Sequence, residues 1–319
     1  MRLIALWMLG LVPAWCASVI VDTDAGSDDM MAISYLLADK DLKIEAIVIA
    51  NGLAHVDAGA RNLLRLCALA GRNDIPVYVG RSKPVSGNRE FPAAWRMQSD
   101  DLGAKLPATT RKPEGKTASA FYLERLARPS KDLKILALGP LTNFHESAEL
   151  LRNIGELVIM GGAIGVPGNL GDGDALKTKN TTAEWNIFVD PESAEQVFRS
   201  GVKIRMVGLD ATNKVKIDTA FLDTFRKGAK TPLARYVEQV LESDKEHIEG
   251  GYFYAWDPLA AVVLLHPDVA RFEETAVSVK QKAPEDGRTV RGNGKQKALV
   301  AVDADGAKFG QYFRRAFAP

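Results

Sequence analysis

Short apolar segments alternate with segments of helical periodicity through about residue 210, and this alternation constrains the fold more than any other feature of the sequence. Apolar runs rich in β-branched residues occupy positions 19–21, 42–50, 135–138, 157–160 and 204–209. Apolar residues recur at helical spacing in segments 30–38, 57–70 and 191–199. Apolar strands without an apolar–polar alternation are typical of a sheet covered on both faces. The pattern therefore predicts an α/β fold with a mostly parallel central sheet flanked by helices, a Rossmann-like arrangement.

The second half of the chain is predicted to belong to the same domain as the first half. Residues 219–266 are mostly helical in pattern, and residues 272–302 contain strand-like runs around a glycine-rich turn at 292–294. No Pro/Ser/Gly-rich linker divides the chain, so we expect one catalytic domain over residues 18–319. Two long loops, at about 81–115 and 163–183, interrupt the pattern, and long loops within a compact domain are usually functional.

The first 17 residues have the pattern of a secretory signal peptide. Arg2 precedes a ten-residue apolar run at 3–12, and small residues follow Pro13. A run of this length is short for a membrane-spanning helix. We expect cleavage after Cys16 or Ala17 and a secreted or periplasmic protein; a retained anchor or a buried first strand is the alternative. Cleavage leaves Cys67 as the one cysteine, so no internal disulfide is expected.

Composition narrows the classes of function. The chain has 41 Lys and Arg against 40 Asp and Glu, a net charge of +1, which is not the electrostatic pattern of a nucleic-acid-binding protein. Its 46% hydrophobic and 25% charged residues are ordinary for a globular protein. Four His and two Cys are too few for a Cys/His-rich zinc module. We therefore expect no nucleic acid polymer as partner and no membrane span after leader removal.

Four aspartates lie within eight residues where the first strand gives way to the first helix. They are Asp22, Asp24, Asp28 and Asp29 of the segment DTDAGSDD. Ligands of open α/β sheets bind beyond the carboxyl ends of strands. A helix-capping role explains one or two of these residues. Four converging carboxylates repel one another unless a cation or protons intervene, which favours a site for a hard divalent cation such as calcium or magnesium.

The acidic segment resembles the DxDPGxDD signature of the nucleoside hydrolase family, with Ala25 in place of the usual proline. Members of this family cleave N-ribosides to ribose and free base. Further segments follow in family order: GPLTN (139–143), VIMGG (158–162), GN (168–169), AEWNIFVDPE (183–192) and WDP (256–258). The resemblance extends from about Val19 to about Asp268.

The resemblance implies a Ca²⁺ site and a ribose site. The calcium ligands would be Asp24, Asp29, the carbonyl oxygen of Thr142 and Asp257, with Asp22 supporting them from behind. The residues that grip ribose would be Asp28, Asn169, Glu184 and Asn186. Met160 either lines the sugar pocket or fills the core, and Asp257 could also begin a helix before Pro258.

The resemblance also implies how the glycosidic bond is cleaved. A water must attack C1′ from the face opposite the base, and Asp24 is the candidate general base because it lies beside the expected ion. Many members that accept inosine and uridine have His where this chain has Trp256. Trp256 and the segment FPAAWR (91–96) resemble the purine-preferring branch, in which two tryptophans sandwich the base. Trp95 and Trp256 would form that pair, with Trp185 beside the ribose ligands.

The sequence does not identify the group that protonates the leaving base. His55 is a candidate because an imidazole titrates near neutrality, and Asn51 and Asp57 compete for a role in the same loop. The expected function is calcium-dependent hydrolysis of purine ribonucleosides by a homo-oligomer, since family members are often dimers or tetramers. The alternatives are a pyrimidine or other N-riboside hydrolase of the same fold, or a non-catalytic nucleoside-binding protein.

Overall fold

The computed structural model describes residues 18–171, 176–292 and 296–318. The predicted leader at 1–17, part of the loop predicted at 163–183 and most of the turn predicted at 292–294 lie outside the described residues. Within the described residues, no helix combines the length and the apolar character that crossing a bilayer requires.

The described strands form one mixed sheet in the order β3-β2-β1-β4-β5-β6-β9-β7-β8. The strands are β1 (Ser18–Thr23), β2 (Lys43–Ile49), β3 (Val77–Val79), β4 (Ser130–Ala137), β5 (Ile154–Met160), β6 (Ile204–Val207), β7 (Ala270–Val279), β8 (Thr289–Gly292) and β9 (Ala298–Ala304). Strands β1 to β6 and β9 pair in parallel, and β7 is antiparallel to both of its neighbours. The predicted mostly parallel α/β fold is confirmed.

Helices cover both faces of this sheet. They are α1 (Ser27–Ala38), α2 (Val56–Leu69), α3 (Ala93–Asp101), α4 (Ala118–Leu126), α5 (Trp185–Val189), α6 (Pro191–Phe198), α7 (Leu209–Thr212), α8 (Thr219–Gly228), α9 (Pro232–Ser243), α10 (Lys245–Gly250), α11 (Trp256–Leu265) and α12 (Gly306–Ala316). Val19 and Val21 of β1 belong to the core beneath α1, α2 and α11, whereas Ile20 belongs to the opposite core beneath α4 and α6. Burial on both sides explains why the strands are continuously apolar.

The order of the strands fixes where a ligand can bind. The chain runs from β1 outward to β3 on one side and resumes at β4 on the other, so the carboxyl ends of β1 and β4 flank a topological switch point. The backbones approach closely there, because a Cβ at Gly139 would lie 2.9 Å from Cβ of Asp24. The acidic segment that follows β1 therefore lies at the position where this class of fold binds its ligands.

The loop predicted at 81–115 contains a helix that sequence periodicity did not indicate. Helix α3 begins after Pro92 and ends at Leu102, which adopts a left-handed conformation with φ of 59°. Only one residue of α3, Ser99, is buried, so the helix lacks the apolar stripe by which helices are predicted. It brings Trp95 to the wall of a cavity of about 740 Å³.

Candidate active site

Three carboxylates converge at one end of a cavity of about 740 Å³. Asp28 and Asp29 lie in the first turn of α1, and Asp257 lies in the first turn of α11, which packs against α1. One carboxylate oxygen from each lies within 4.8 Å of the others. Oxygens at this spacing are what a hard divalent cation requires of its ligands.

Asp29 is held in place by the turn that precedes its helix. Its Oδ2 accepts from the N–H of Gly26 at 3.0 Å, and its Oδ1 accepts from the N–H of Asp24 at 3.2 Å and from the hydroxyl of Thr23. These bonds satisfy backbone donors at the start of α1 and fix the carboxylate toward the cavity. The DTDAGSDD segment thus contains both Asp29 and the groups that orient its carboxylate.

The charges of this acidic cluster are not balanced by the protein. Burial, followed by the neighbouring charge of Asp29, raises the pKa of Asp28 to about 8 and holds the pKa values of Asp24 and Asp257 well above their usual range. Among the described residues, the main causes of these shifts include no Lys, Arg or His. Buried carboxylates in this state require either bound protons or a cation, so the donor set fits a divalent ion.

Asp22 and Thr142 lie behind this cluster rather than in the wall of the cavity. Oδ2 of Asp22 accepts from the Tyr122 hydroxyl at 2.8 Å and from Nδ2 of Asn143 at 3.0 Å. Burial raises the pKa of Asp22 to about 7. The Thr142 hydroxyl donates to Asp190, 2.8 Å away.

The structure therefore does not bring Thr142 to the cavity as a ligand. Leu138, four residues earlier, lines the cavity at the end of β4. Its carbonyl oxygen accepts from Nδ2 of Asn186 at 2.8 Å. Strand β4 ends at Ala137, so this carbonyl directly precedes the GPLTN segment instead of lying within it.

The predicted ribose ligands Asn169, Glu184 and Asn186 line the same cavity, together with Met160. Glu184 begins α5, and its carboxylate accepts from the N–H groups of Gly162 at 2.8 Å and Asn186 at 2.9 Å. Burial raises the pKa of Glu184, and these backbone donors lower it in part. Fixed acceptors and amides of this kind suit sugar hydroxyls, which both donate and accept.

Aromatic side chains also line this cavity. They are Phe91, Trp95, Trp185, Tyr252, Phe253, Tyr254 and Trp256. Trp185 stacks on Phe91 with ring centroids 4.8 Å apart and meets Trp95 edge-on at 5.7 Å. Trp256 packs against Phe253 and Tyr254. All three predicted base-contacting tryptophans therefore line one cavity, and Trp185 has one ring face already covered by protein.

His55 lies outside the wall of this cavity. Its side chain is half exposed at the start of α2, and its Nδ1 lies 2.7 Å from Oδ2 of Asp100. Asp57 is exposed, and Asn51 lines a different, smaller cavity. The loop after β2 thus places none of its three candidate side chains against the large cavity.

Asp244 and His247, which the sequence did not single out, also line this cavity. Nδ1 of His247 lies 3.7 Å from Oδ1 of the buried Asp244. The neighbouring Asp244 carboxylate raises the pKa of His247. The available signal was the DxxH spacing at the end of a helical pattern, which alone does not distinguish a cavity from a solvated helix face.

Similarity to known proteins agrees with the function that this cavity indicates. The family described as inosine-uridine preferring nucleoside hydrolase matches residues 19–311. The chain belongs to this family. As a nucleoside hydrolase it is 35% identical over 303 residues to the pyrimidine-specific ribonucleoside hydrolase RihA of Citrobacter koseri, covering 90% of this chain and 93% of that protein. It is 34% identical over 305 residues to RihA of Salmonella schwarzengrund, covering 90% and 94%.

Solved structures of nucleoside hydrolases share its fold. A plant nucleoside hydrolase, PpNRh1, superimposes with a TM-score of 0.85 at 28% identity, covering 95% of this chain and 100% of that one. A purine-preferring ribonucleoside hydrolase from Gardnerella vaginalis superimposes with a TM-score of 0.79 at 27% identity, covering 94% and 98%. The chain is thus a ribonucleoside hydrolase acting on N-glycosyl bonds, which replaces the alternative of a non-catalytic binding protein. Relatives of both base preferences are similar to it.

Proposed function

We propose that this nucleoside hydrolase is calcium-dependent and prefers purine ribonucleosides. The observation that supports the proposal is a single cavity that is lined both by a converging acidic cluster and by three tryptophans. The acidic cluster suits an ion and the hydroxyls of ribose, and the indoles suit a large flat base.

Calcium would be held by Asp24, Asp29 and Asp257, with the carbonyl oxygen of Leu138 in the place expected for that of Thr142. All four line the cavity, and all present the oxygen ligands that calcium prefers. When bound, the ion supplies positive charge beside the ribose and the attacking water. Asp28, in the same cluster, is left to bind a ribose hydroxyl.

The side chains of the cavity then have separate roles in the reaction. Asn169, Glu184 and Asn186 orient the ribose, and Asp24 accepts the proton of the water that attacks C1′. Carboxylates around the sugar stabilise the positive charge that develops as the bond to the base breaks. Oδ2 of Asp24 accepts from the N–H of Leu53 at 2.9 Å, which fixes this base relative to the sugar.

The aromatic wall would hold the purine and promote its departure. Stacking between Trp95 and Trp256 favours protonation of the base, because a cationic ring is attracted to electron-rich indole faces. We propose His247, oriented by Asp244, as the proton donor in place of His55. His247 lines the cavity, whereas the imidazole of His55 is bound to Asp100 outside it.

A pyrimidine preference is the second candidate, because relatives 33–35% identical carry pyrimidine-specific names. The deciding experiment measures kcat/KM for inosine, guanosine and adenosine against uridine and cytidine, in calcium and in chelator. Calcium-dependent release of purine bases at a rate well above that of uracil supports the proposal. Equal or faster release of uracil overturns the purine preference, and chelator-insensitive turnover overturns the calcium requirement.

We further infer that the protein is exported and forms a homo-oligomer. Export is inferred from the signal-peptide pattern of residues 1–17, and oligomerisation from the fact that family members are often dimers or tetramers. N-terminal mass spectrometry of protein from a periplasmic or secreted fraction tests cleavage after Cys16 or Ala17. Light scattering of the mature protein tests for a dimer or tetramer, and a monomeric mass overturns that inference.

A further inference from the structure

A second cavity, of about 210 Å³, lies beside the large one and shares no lining residue with it. Its wall combines Asn51 and Gly52, after β2, with the 82–90 segment and Arg96 of α3. The two cavities are separated by the 51–53 backbone. A Cβ at Gly52 would lie 1.9 Å from Oδ2 of Asp24, and the next residue, Leu53, lines the large cavity.

Two buried polar groups in this wall have no partner. Asn51 is only 3% exposed, and its Oδ1 accepts no hydrogen bond. Nε of Arg96 is also buried without an acceptor. The two ends of an amide are nearly the same size, so a half-turn of the Asn51 side chain presents its Nδ2 as a donor. Buried donors without acceptors are rare in proteins and indicate a missing partner.

The charge of the wall indicates that the missing partner is an anion. Lys83, Arg89 and Arg96 line the cavity against a single carboxylate, Glu90. Arg96 donates to Glu90 at 3.0 Å, but the Glu90 side chain is 69% exposed and leaves Nε unpaired. Arg89 pairs with Asp286 at 2.8 Å, and Lys83 forms no ion pair within the described ranges. The wall therefore has excess positive charge and unused N–H donors.

We propose that this second cavity binds a phosphate-type oxyanion, either free inorganic phosphate or the phosphoryl group of a small sugar phosphate. Guanidinium and amide N–H groups form charge-assisted bonds with such oxygens. The volume suits one phosphoryl group and is too small for a nucleoside, which the large cavity accommodates. The site is distinct from the one in which the glycosidic bond is cleaved.

Titration calorimetry of the calcium-loaded protein, saturated with ribose and free of excess calcium, tests the proposal with inorganic phosphate and, separately, ribose 5-phosphate. Binding is measured without turnover, so the result does not depend on which nucleosides are hydrolysed. We expect one site per chain. Arg96→Gln and Asn51→Ala should each weaken binding by about tenfold or more. Arg128→Gln, an exposed position just after α4, is the control and should not.

The outcomes distinguish inorganic phosphate from a sugar phosphate as the ligand. Tighter binding of inorganic phosphate assigns the free ion, and tighter binding of ribose 5-phosphate assigns the sugar phosphate. No saturable heat with either probe overturns the proposal, as does binding that persists unchanged in Arg96→Gln. If Arg96→Gln does not fold, Lys83→Gln, at an exposed position, replaces it and should weaken binding several-fold.

Discussion

Nδ1 of His55 lies 2.7 Å from Oδ2 of Asp100, and the backbone N–H of His55 donates to Oδ1 of the same carboxylate at 2.8 Å. The pair joins the start of α2 to the end of α3. Asn62 of α2 adds a third bond, from Nδ2 to the Asp100 carbonyl at 2.9 Å. Because α3 carries Trp95, this contact positions the aromatic wall of the active cavity.

His55→Ala should therefore raise KM for inosine several-fold with little change in kcat. His55→Asn keeps a donor near Nδ1 and should restore KM. Asp100→Ala also removes the acceptor of the His55 N–H, so it should raise KM at least as much as His55→Ala, and the double variant should be no worse than Asp100→Ala. Steady-state kinetics on the four proteins checks this. A fall of a hundredfold in kcat with unchanged KM would instead identify His55 as the proton donor.

His247→Ala should lower kcat on inosine by about 10²-fold, the scale of one general acid. The same variant should retain most of its rate on 4-nitrophenyl riboside, because that leaving group departs without a proton. Comparing the two substrates isolates protonation from binding. Equal losses on both substrates would contradict a proton-donor role.

The pH profile tests the partnership of His247 with Asp244. A general acid must be protonated, so kcat falls as pH rises through its pKa. The Asp244 carboxylate, 3.7 Å away, raises the pKa of His247. Asp244→Asn removes that charge, so the alkaline limb of the kcat profile should move to lower pH. A limb that stays in place would exclude His247 as the titrating group.

Gly52→Ala should impair catalysis without enlarging any side chain in the cavity. Its Cβ would lie 1.9 Å from Oδ2 of Asp24, which must then move away from the N–H of Leu53. We expect a loss of about 10²-fold in kcat/KM, because misplaced catalytic groups are costly. Gly115→Ala, whose Cβ meets nothing within 4 Å, is the matched control and should be active. Full activity of Gly52→Ala would contradict this placement of Asp24.

Calcium removal should make the protein less stable as pH rises. In the chelated protein the pKa of Asp28 is raised to about 8, and those of Asp24 and Asp257 are also raised, against about 4 in the unfolded chain. The folded state then holds more protons than the unfolded state, so unfolding becomes easier from about pH 4 to 8. Calcium should cancel this trend and release protons on binding.

Melting curves at several pH values, with calcium and with chelator, check this linkage. The difference in Tm between the two conditions should widen toward pH 8. Calorimetry in buffers of different ionisation enthalpy counts the protons released. A Tm that is the same in calcium and chelator at every pH would exclude an ion in the acidic cluster.

Ala25 has φ of 58°, a conformation that proline, with φ near −65°, cannot adopt. Its N–H also donates to the Thr23 hydroxyl at 3.0 Å. Ala25→Pro, which restores the family signature, should therefore destabilise the protein by more than about 1 kcal/mol in denaturant unfolding. Ala25→Gly keeps the conformation and should have a smaller effect. A neutral Ala25→Pro would show that the turn rearranges freely.

Residues within one short segment were predictable, and residues brought together by distant segments were not. The spacing of DTDAGSDD places Asp24, Asp28 and Asp29 at one strand end, because the strand-to-helix turn is local. The wall that combines Trp95 with His247 depends on how α3 and α10 pack across the chain. No periodicity reports that packing, so the helix at 93–101 and the Asp244–His247 pair emerge only from the structure.

The acidic cluster and the aromatic wall of the large cavity differ in their tolerance to change. Asp24, Asp29 and Asp257 of the acidic cluster are buried, so their neighbours restrict substitution. Part of the aromatic wall lies on two surface segments, on which Met97 is 63% exposed and Tyr252 is 74% exposed. Substitutions in those segments can change the contacts with the base and leave the acidic cluster intact. The choice of base can therefore change independently of the machinery that cleaves the glycosidic bond.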